Sequence, residues 1–227
     1  LFLRFAVESK RRFDLIAFDV DGTLVDDTVF VWKTLHDYFE TDPESRDMAF
    51  RSYMDGKWPY HRWFEHDIKL LTEAGATRSS MLEALAGMRL TNGAIETLTT
   101  LREAGARLAI ISGSINVVVE KFDLEQYFDD VYLNRIWFDD NGGLARWKAT
   151  PYDVWDKATG LRALATRYEI PMERTAFIGD NFNDVAVARA AGYSLAIHCK
   201  SDELAEAVDV VIAEDDMRAV LPYLLEE

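Results

Sequence analysis

The chain has 227 residues, 49% of them apolar, enough to bury a substantial core either as one large domain or as a core with an insert. Forty Asp and Glu against 25 Lys and Arg leave a formal charge of -15, which repels nucleic-acid backbones and anionic membrane surfaces and argues against both as partners. The same charge repels phosphorylated ligands, so a site for one needs a local cation, and the single cysteine, Cys199, excludes an internal disulfide and reads as a buried structural thiol in a reducing compartment.

Residues 1–7, LFLRFAV, precede their charges Lys10, Arg11 and Arg12 and are too short for a signal sequence; no later apolar run spans a bilayer, so the expected location is cytoplasmic. The apolar run 15–20 suits a parallel strand buried on both faces, and it ends in Asp19-Val20-Asp21-Gly22-Thr23. Carboxylates at i and i+2 on extended backbone face the same way, about 6.6 Å apart. They repel one another and any phosphate unless a divalent ion lies between them, and magnesium favours one or two carboxylates together with phosphate and water. Taken alone, the pentapeptide also reads as a strand running into an Asp-Gly turn. Helical patterns at 30–39, 43–54, 60–71 and 80–88 then describe an all-helical insert, placed to hang over the strand ends as a lid. Its aromatics (Phe30, Trp32, Tyr38, Phe39, Phe50, Tyr53, Trp58, Tyr60, Trp63, Phe64) read mostly as bundle core, with a minority facing a ligand. His36, His61 and His66 have no metal-ligand spacing.

An amphipathic stretch at 94–104 leads to a second buried strand, 108–111, which ends in Ser112-Gly113-Ser114. A hydroxyl and a flexible backbone N–H beside a helix start suit phosphate oxygens, although a Ser at a helix N-cap needs no ligand. A helix at 117–128 follows, and Asn141-Gly142-Gly143 reads as a hairpin tip between 136–138 and 144–147. Lys157 opens the helical stretch 157–168; by itself it reads as a solvated surface charge. Strand 176–178 runs into Gly179-Asp180-Asn181-Phe182-Asn183-Asp184, ahead of a helix at 184–191. Acidic and amide side chains crowded at a strand end suit metal and phosphate ligation, and a capping loop is the structural alternative. With strands at 195–197 and 208–212, the alternation predicts a doubly wound, Rossmann-like α/β core with a parallel sheet and an inserted helical cap. Its site belongs at the carboxyl ends of the strands, where Asp19, Ser112 and Asp180 fall. The expected division is a core of 12–27 and 91–227 with a cap of 28–90.

In order, a DxDGT at the first strand, a Ser at the second, a Lys, and a GDxxND at a later strand resemble the four motifs of the haloacid dehalogenase superfamily. The helical insert between the first two motifs resembles the phosphoserine phosphatase branch; a β-containing lid between the second and third does not fit the short gap from Ser112 to Lys157. The resemblance implies a magnesium-dependent phosphomonoesterase acting on a small phosphorylated metabolite, with no nucleic-acid or membrane partner. Asp19 would attack phosphorus to form an aspartyl-phosphate, and Asp21 would protonate the leaving oxygen and later activate water. Magnesium would be held by Asp19, the backbone carbonyl of Asp21 and Asp180, with Asp184 behind them. Ser112, the Gly113 N–H and Lys157 would surround the phosphoryl group, and Asn183 would order the loop and the phosphate. A phosphotransferase or mutase on the same scaffold and a non-catalytic binding protein are the competing readings.

Phosphoserine phosphatases carry a Glu after the first motif for the serine ammonium, where this chain has Thr28, and a lid Arg for the carboxylate. Aligning Met54-Asp55-Gly56-Lys57 with the similar lid stretch puts Met54 and Tyr60 at substrate-facing positions and Asp67 in place of that Arg. Both serine-specific charges are then lost unless Arg51 or Arg62 supplies a displaced cation. The expected substrate is a small phosphomonoester other than phosphoserine, with phosphoserine as the alternative.

Overall fold

The computed structural model describes residues 10–26 and 30–226. In chain order, β1 (Leu15–Phe18) and a short β2 (Val25–Asp26) precede four helices, α1 (Val31–Tyr38), α2 (Pro43–Met54), α3 (Tyr60–Glu73) and α4 (Arg78–Ala84). Strand β3 (Arg89–Leu90) pairs antiparallel with β2, so a ribbon ties the exit of the helical segment to its entrance. There follow α5 (Ala94–Glu103), β4 (Arg107–Ile115), α6 (Asn116–Lys121), β5 (Asp130–Phe138), β6 (Leu144–Lys148) and α7 (Lys157–Arg167). The chain closes with β7 (Thr175–Gly179), α8 (Val185–Ala190), β8 (Tyr193–Ile197), α9 (Asp202–Ala205), β9 (Val210–Ile212) and α10 (Leu221–Leu224).

The main sheet has seven strands in the order β6-β5-β4-β1-β7-β8-β9. Every neighbouring pair is parallel except β5 and β6. Residues alternate between the two faces of a strand. Ile16 and Phe18 accordingly join the apolar cluster on one side, while Leu15 and Ala17 join Leu161, Leu164 and Phe177 on the other. The first cluster runs on without a break into the helical segment through Leu35, Phe64, Ile68, Leu71 and Met81. Fully burying each such side chain contributes about 1.5–3 kcal/mol, which holds α1, α3 and α4 against the sheet layer.

Several elements differ from the sequence expectation. The helix expected at 117–128 stops at Lys121, because Asp123 adopts φ +52° and only a short 3-10 turn follows. The helix expected at 80–88 runs over Arg78–Ala84, because Thr77 and Ser80 form a capping box that fixes its start. Strand β5 begins six residues before the expected hairpin arm; its first half pairs with β4 and its second with β6. Its polar Asp130, Asn134 and Arg135 hide it from a search for apolar runs. Strand β4 continues to Ile115, but its register with β5 shifts between Ile111 and Ile115, which frees the backbone of Ser112, Gly113 and Ser114 from the ladder. Cys199 is only partly buried, its Sγ 3.3 Å from the Ser201 carbonyl. Among the described residues no helix is long and apolar enough to cross a membrane, and residues 1–7 lie outside them.

Candidate active site

Because β1 lies between β4 and β7, the chain ends of three strands bring Asp19, Ser112 and Asp180 together at the point where the strand order reverses. The Asp19 N–H donates to the Ile178 carbonyl at 3.0 Å, which fixes the first loop to β7. Lys157, at the start of α7, is fully buried, with Nζ 3.0 Å from Asp19 Oδ2 and 2.7 Å from Asp184 Oδ1. That burial removes the surface-charge reading. Desolvation pulls the Lys157 ammonium toward neutrality, but Asp184, Asp19 and Asp153 outweigh it and hold its pKa above the usual lysine value.

Carboxylate oxygens of Asp19, Asp180 and Asp184 all lie within 4.8 Å of one another. Asp184 Oδ1 receives Lys157 and its Oδ2 receives the N–H groups of Asp180 and Asn181, so its oxygens are already used in holding neighbours. Asp180 takes the Lys200 ammonium at 2.8 Å on Oδ2 and the Thr23 hydroxyl at 3.4 Å on Oδ1. Asp19 Oδ1 is buried with no hydrogen-bond partner among the described residues. Burial, then the charges of Asp184 and Asp19, pushes the Asp180 carboxyl well above the usual range. A crowded set of hard oxygens with an unmet acceptor fits a divalent cation such as magnesium. Gly22 makes the crowding feasible, since its φ is +77° and a Cβ there would lie 2.2 Å from Asp180 Oδ2.

Asp21 stands apart from that cluster. Its Oδ1 accepts from the Ser114 hydroxyl and its Oδ2 from the Val31 N–H, both at 2.7 Å, so the first residue of α1 is tied to it. Burial pushes its carboxyl up to about 7 against the opposing pull of these two donors. A carboxyl poised there can both give and take a proton near neutrality.

The Ser112-Gly113-Ser114 loop is held by residues that the sequence reading did not single out. The Gly113 carbonyl accepts from Trp32 Nε1 at 3.0 Å and from Asn134 Nδ2 at 2.8 Å. The same Asn134 amide donates to the Tyr60 hydroxyl at 2.7 Å, and its oxygen accepts from Thr150 N. Asp153 lies against Gly113, where a Cβ would come within 2.4 Å of both its oxygens. It accepts from the Val154 N–H and the Tyr60 hydroxyl, and burial raises its pKa against the opposing charge of Lys157. Asp153 lies four residues before Lys157, in the turn that precedes α7.

A cavity of about 640 Å³ opens over Asp19, Asp21, Ser112, Gly113 and Asn183, and its far wall includes Trp32, Phe50 and Trp63 from the helical segment. Of the ten lid aromatics named above, Phe30, Trp32, Phe50 and Trp63 line it. The proposed lid contacts fare differently. Met54 is 37% exposed at the end of α2 and does not line the cavity. Tyr60 lies behind the lining and reaches the site through Asn134 and Asp153. Asp67 is buried 3.5 Å from His36 Nε2, away from the lining. It follows Tyr60 by seven residues, roughly 10 Å along α3, and is not among the residues that line the cavity. Thr28 lies outside the described residues. Arg51 pairs with Asp47 and Arg62 stacks on Trp58 at 4.3 Å; the cation that lines the cavity from α2 is Arg46.

Residues 13–192 match the family model of haloacid dehalogenase-like hydrolases. The chain is 29% identical over 208 residues to phosphoserine phosphatase SerB2 of Mycobacterium tuberculosis, covering 91% of this chain and 49% of that protein, so it spans about half that relative's length. It is 25% identical to the phosphoserine phosphatase of Methanocaldococcus jannaschii, over 96% of this chain and 100% of the relative. A solved structure of a phospho-aspartyl intermediate analogue of phosphoserine phosphatase superposes with a TM-score of 0.72 at 26% identity, covering 95% of this chain and 99% of the other. Sheet order, motif placement and these likenesses agree: the chain belongs to the haloacid dehalogenase-like hydrolase family.

Proposed function

We propose that this chain is a magnesium-dependent phosphomonoesterase that hydrolyses a small phosphorylated metabolite in the cytoplasm through an aspartyl-phosphate at Asp19, with residues 28–90 acting as a cap over a core of 12–27 and 91–227. One observation carries the reading: Asp19 presents one oxygen to Lys157 at 3.0 Å, and its other oxygen is buried beneath the cavity with no hydrogen-bond partner among the described residues. One Asp19 carboxylate oxygen attacks phosphorus, and the other would serve as the metal ligand. Asp21, protonated over part of the neutral range, gives its proton to the leaving oxygen; the resulting carboxylate then takes a proton from the water that attacks the phosphorus of the intermediate. The Ser112 hydroxyl, the Gly113 N–H and Lys157 stabilise charge on the phosphoryl oxygens, and the hydrogen bonds from Trp32 and Asn134 to the Gly113 carbonyl keep that loop in place beforehand. Magnesium, held by Asp19, the Asp21 carbonyl and Asp180 with Asp184 fixing the Asp180 backbone, would supply the positive charge that a phosphate needs in this acidic site. Asn183, on the cavity wall with a buried Oδ1 that has no partner among the described residues, orders the loop beside the phosphate.

The relatives named as phosphoserine phosphatases make phosphoserine the natural comparison substrate. The test is phosphate release from amino-acid, sugar, nucleotide and amino-alcohol phosphates, with free phosphate counted against phosphate transferred to an added alcohol. Release of free phosphate from at least one ester is expected. Transfer in excess of release would instead make the chain a phosphotransferase, and neither product would remove the enzymatic reading.

A further inference from the structure

The organic half of the substrate has its own site, and resting on the phosphatase reading above, we propose that the alcohol released is one carrying a flat aromatic ring. The cavity volume of about 640 Å³ is far larger than a serine side needs. Five rings line it, Phe30, Trp32, Phe50, Trp63 and Phe182, beside four charged side chains of α1 and α2. These rings are held in place before any ligand arrives. The Trp32 indole is pinned by its N–H bond to the Gly113 carbonyl, and Trp63 stacks on Tyr53 at 4.9 Å and packs at 5.4 Å against Phe50. Phe30 and Phe182 meet edge to face at 6.3 Å, so one ring pair joins the entrance of the helical segment to the fourth motif. The Trp63 indole N–H is buried with no acceptor among the described residues, so the ring presents an apolar surface to the cavity. Preordered rings accept an offset-stacked or edge-on partner at little entropic cost. An amino acid side such as serine would leave these ring surfaces facing water, with Lys33 and Arg46 as the cations on the cavity wall.

The test measures binding, independent of turnover. Benzylphosphonate, cyclohexylmethylphosphonate, ethylphosphonate and 2-amino-4-phosphonobutanoate, whose C–P bonds resist hydrolysis, are titrated calorimetrically into the wild-type protein with magnesium present. Benzylphosphonate is expected to bind at least tenfold more tightly than ethylphosphonate and more tightly than the other two, and the benzyl-to-ethyl ratio is expected to fall in Phe50→Leu and Trp63→Leu. A ratio below tenfold, equal binding of the saturated ring, or tightest binding of the amino acid analogue overturns the proposal. Phosphate release from benzyl and ethyl phosphates separates the two readings. Preferential binding with no release from these esters or from the panel above sinks the phosphatase and leaves the aromatic site standing, whereas release without ring preference sinks only the aromatic site.

Discussion

Replacing Lys157 with Met removes the ammonium while keeping a side chain of similar length in a fully buried position. Asp19 and Asp184 then lose the cation that lay 3.0 and 2.7 Å away, in a cluster that already holds Asp180. Breaking a buried pair by removing one partner costs about 3–5 kcal/mol. For a chain of this length each kcal/mol moves Tm by about 2–4 °C, so Lys157→Met should melt about 6–20 °C below wild type in chelator. Saturating magnesium should narrow the gap, since a divalent ion returns positive charge to Asp19 and ligand binding to the native state stabilises it by mass action. Adding Asp184→Asn to Lys157→Met should restore much of the stability, because fewer carboxylates are left without a cation. Neither variant should regain activity, and kcat should stay at least a hundredfold down, as expected when a donor to the transition state is lost. Thermal unfolding followed by circular dichroism, with and without chelator, measures this directly. A loss under about 2 °C in chelator, or a double variant no more stable than Lys157→Met, would refute the buried-pair account.

The raised Asp21 carboxyl predicts that kcat/KM falls with a slope of one as pH rises through about 7, since the proton for the leaving oxygen is lost there; bound metal, which favours the carboxylate, moves the limb lower, and a limb at higher pH would contradict the assignment. Because its folded pKa lies above the unfolded value of about 3.9, the stability contribution of Asp21 is fully present below that value and lost as pH rises through about 7; Asp21→Asn should flatten that part of the Tm profile. EDTA should silence the enzyme and magnesium restore it, with calcium a poor substitute because of its looser, higher coordination; full activity in chelator would require another source of positive charge. Gly113→Ala places a Cβ 2.4 Å from both Asp153 oxygens, which Val154 N–H and Tyr60 hold in place, so kcat/KM should fall at least tenfold; near-native turnover would mean the loop yields freely.

The parts of the site legible in the sequence are those written within a few residues of a strand end. Asp19 and Asp21 follow β1, Asp180 to Asp184 follow β7, and Ser112 and Gly113 come directly after the apolar stretch of β4; their convergence follows from parallel strands whose ends share one edge of the sheet. Lys157 was legible only through its company, since nothing in its own neighbourhood distinguishes it from a surface lysine. Asn134 and Asp153 were not legible because β-strand pairing and the entry to α7 bring them to Gly113 from well down the chain. In the lid, Tyr60 and Asp67 were assigned by spacing from Met54-Asp55-Gly56-Lys57, which says nothing of depth along α3, where two turns separate a residue near the site from one buried against His36. The aromatic wall was likewise hidden, since a ring on an amphipathic helix reads the same whether its neighbour is another helix or a ligand.

The most direct test of the central claim traps the covalent intermediate. The protein is mixed with a hydrolysable ester and magnesium, quenched in acid within milliseconds and reduced with borohydride, which converts an aspartyl-phosphate to homoserine while leaving free aspartate untouched. Peptide mass spectrometry should find homoserine at position 19 alone, and none in Asp19→Asn. Homoserine at Asp21, Asp153 or Asp180 instead, or its absence from position 19 while phosphate is being released, would contradict the account.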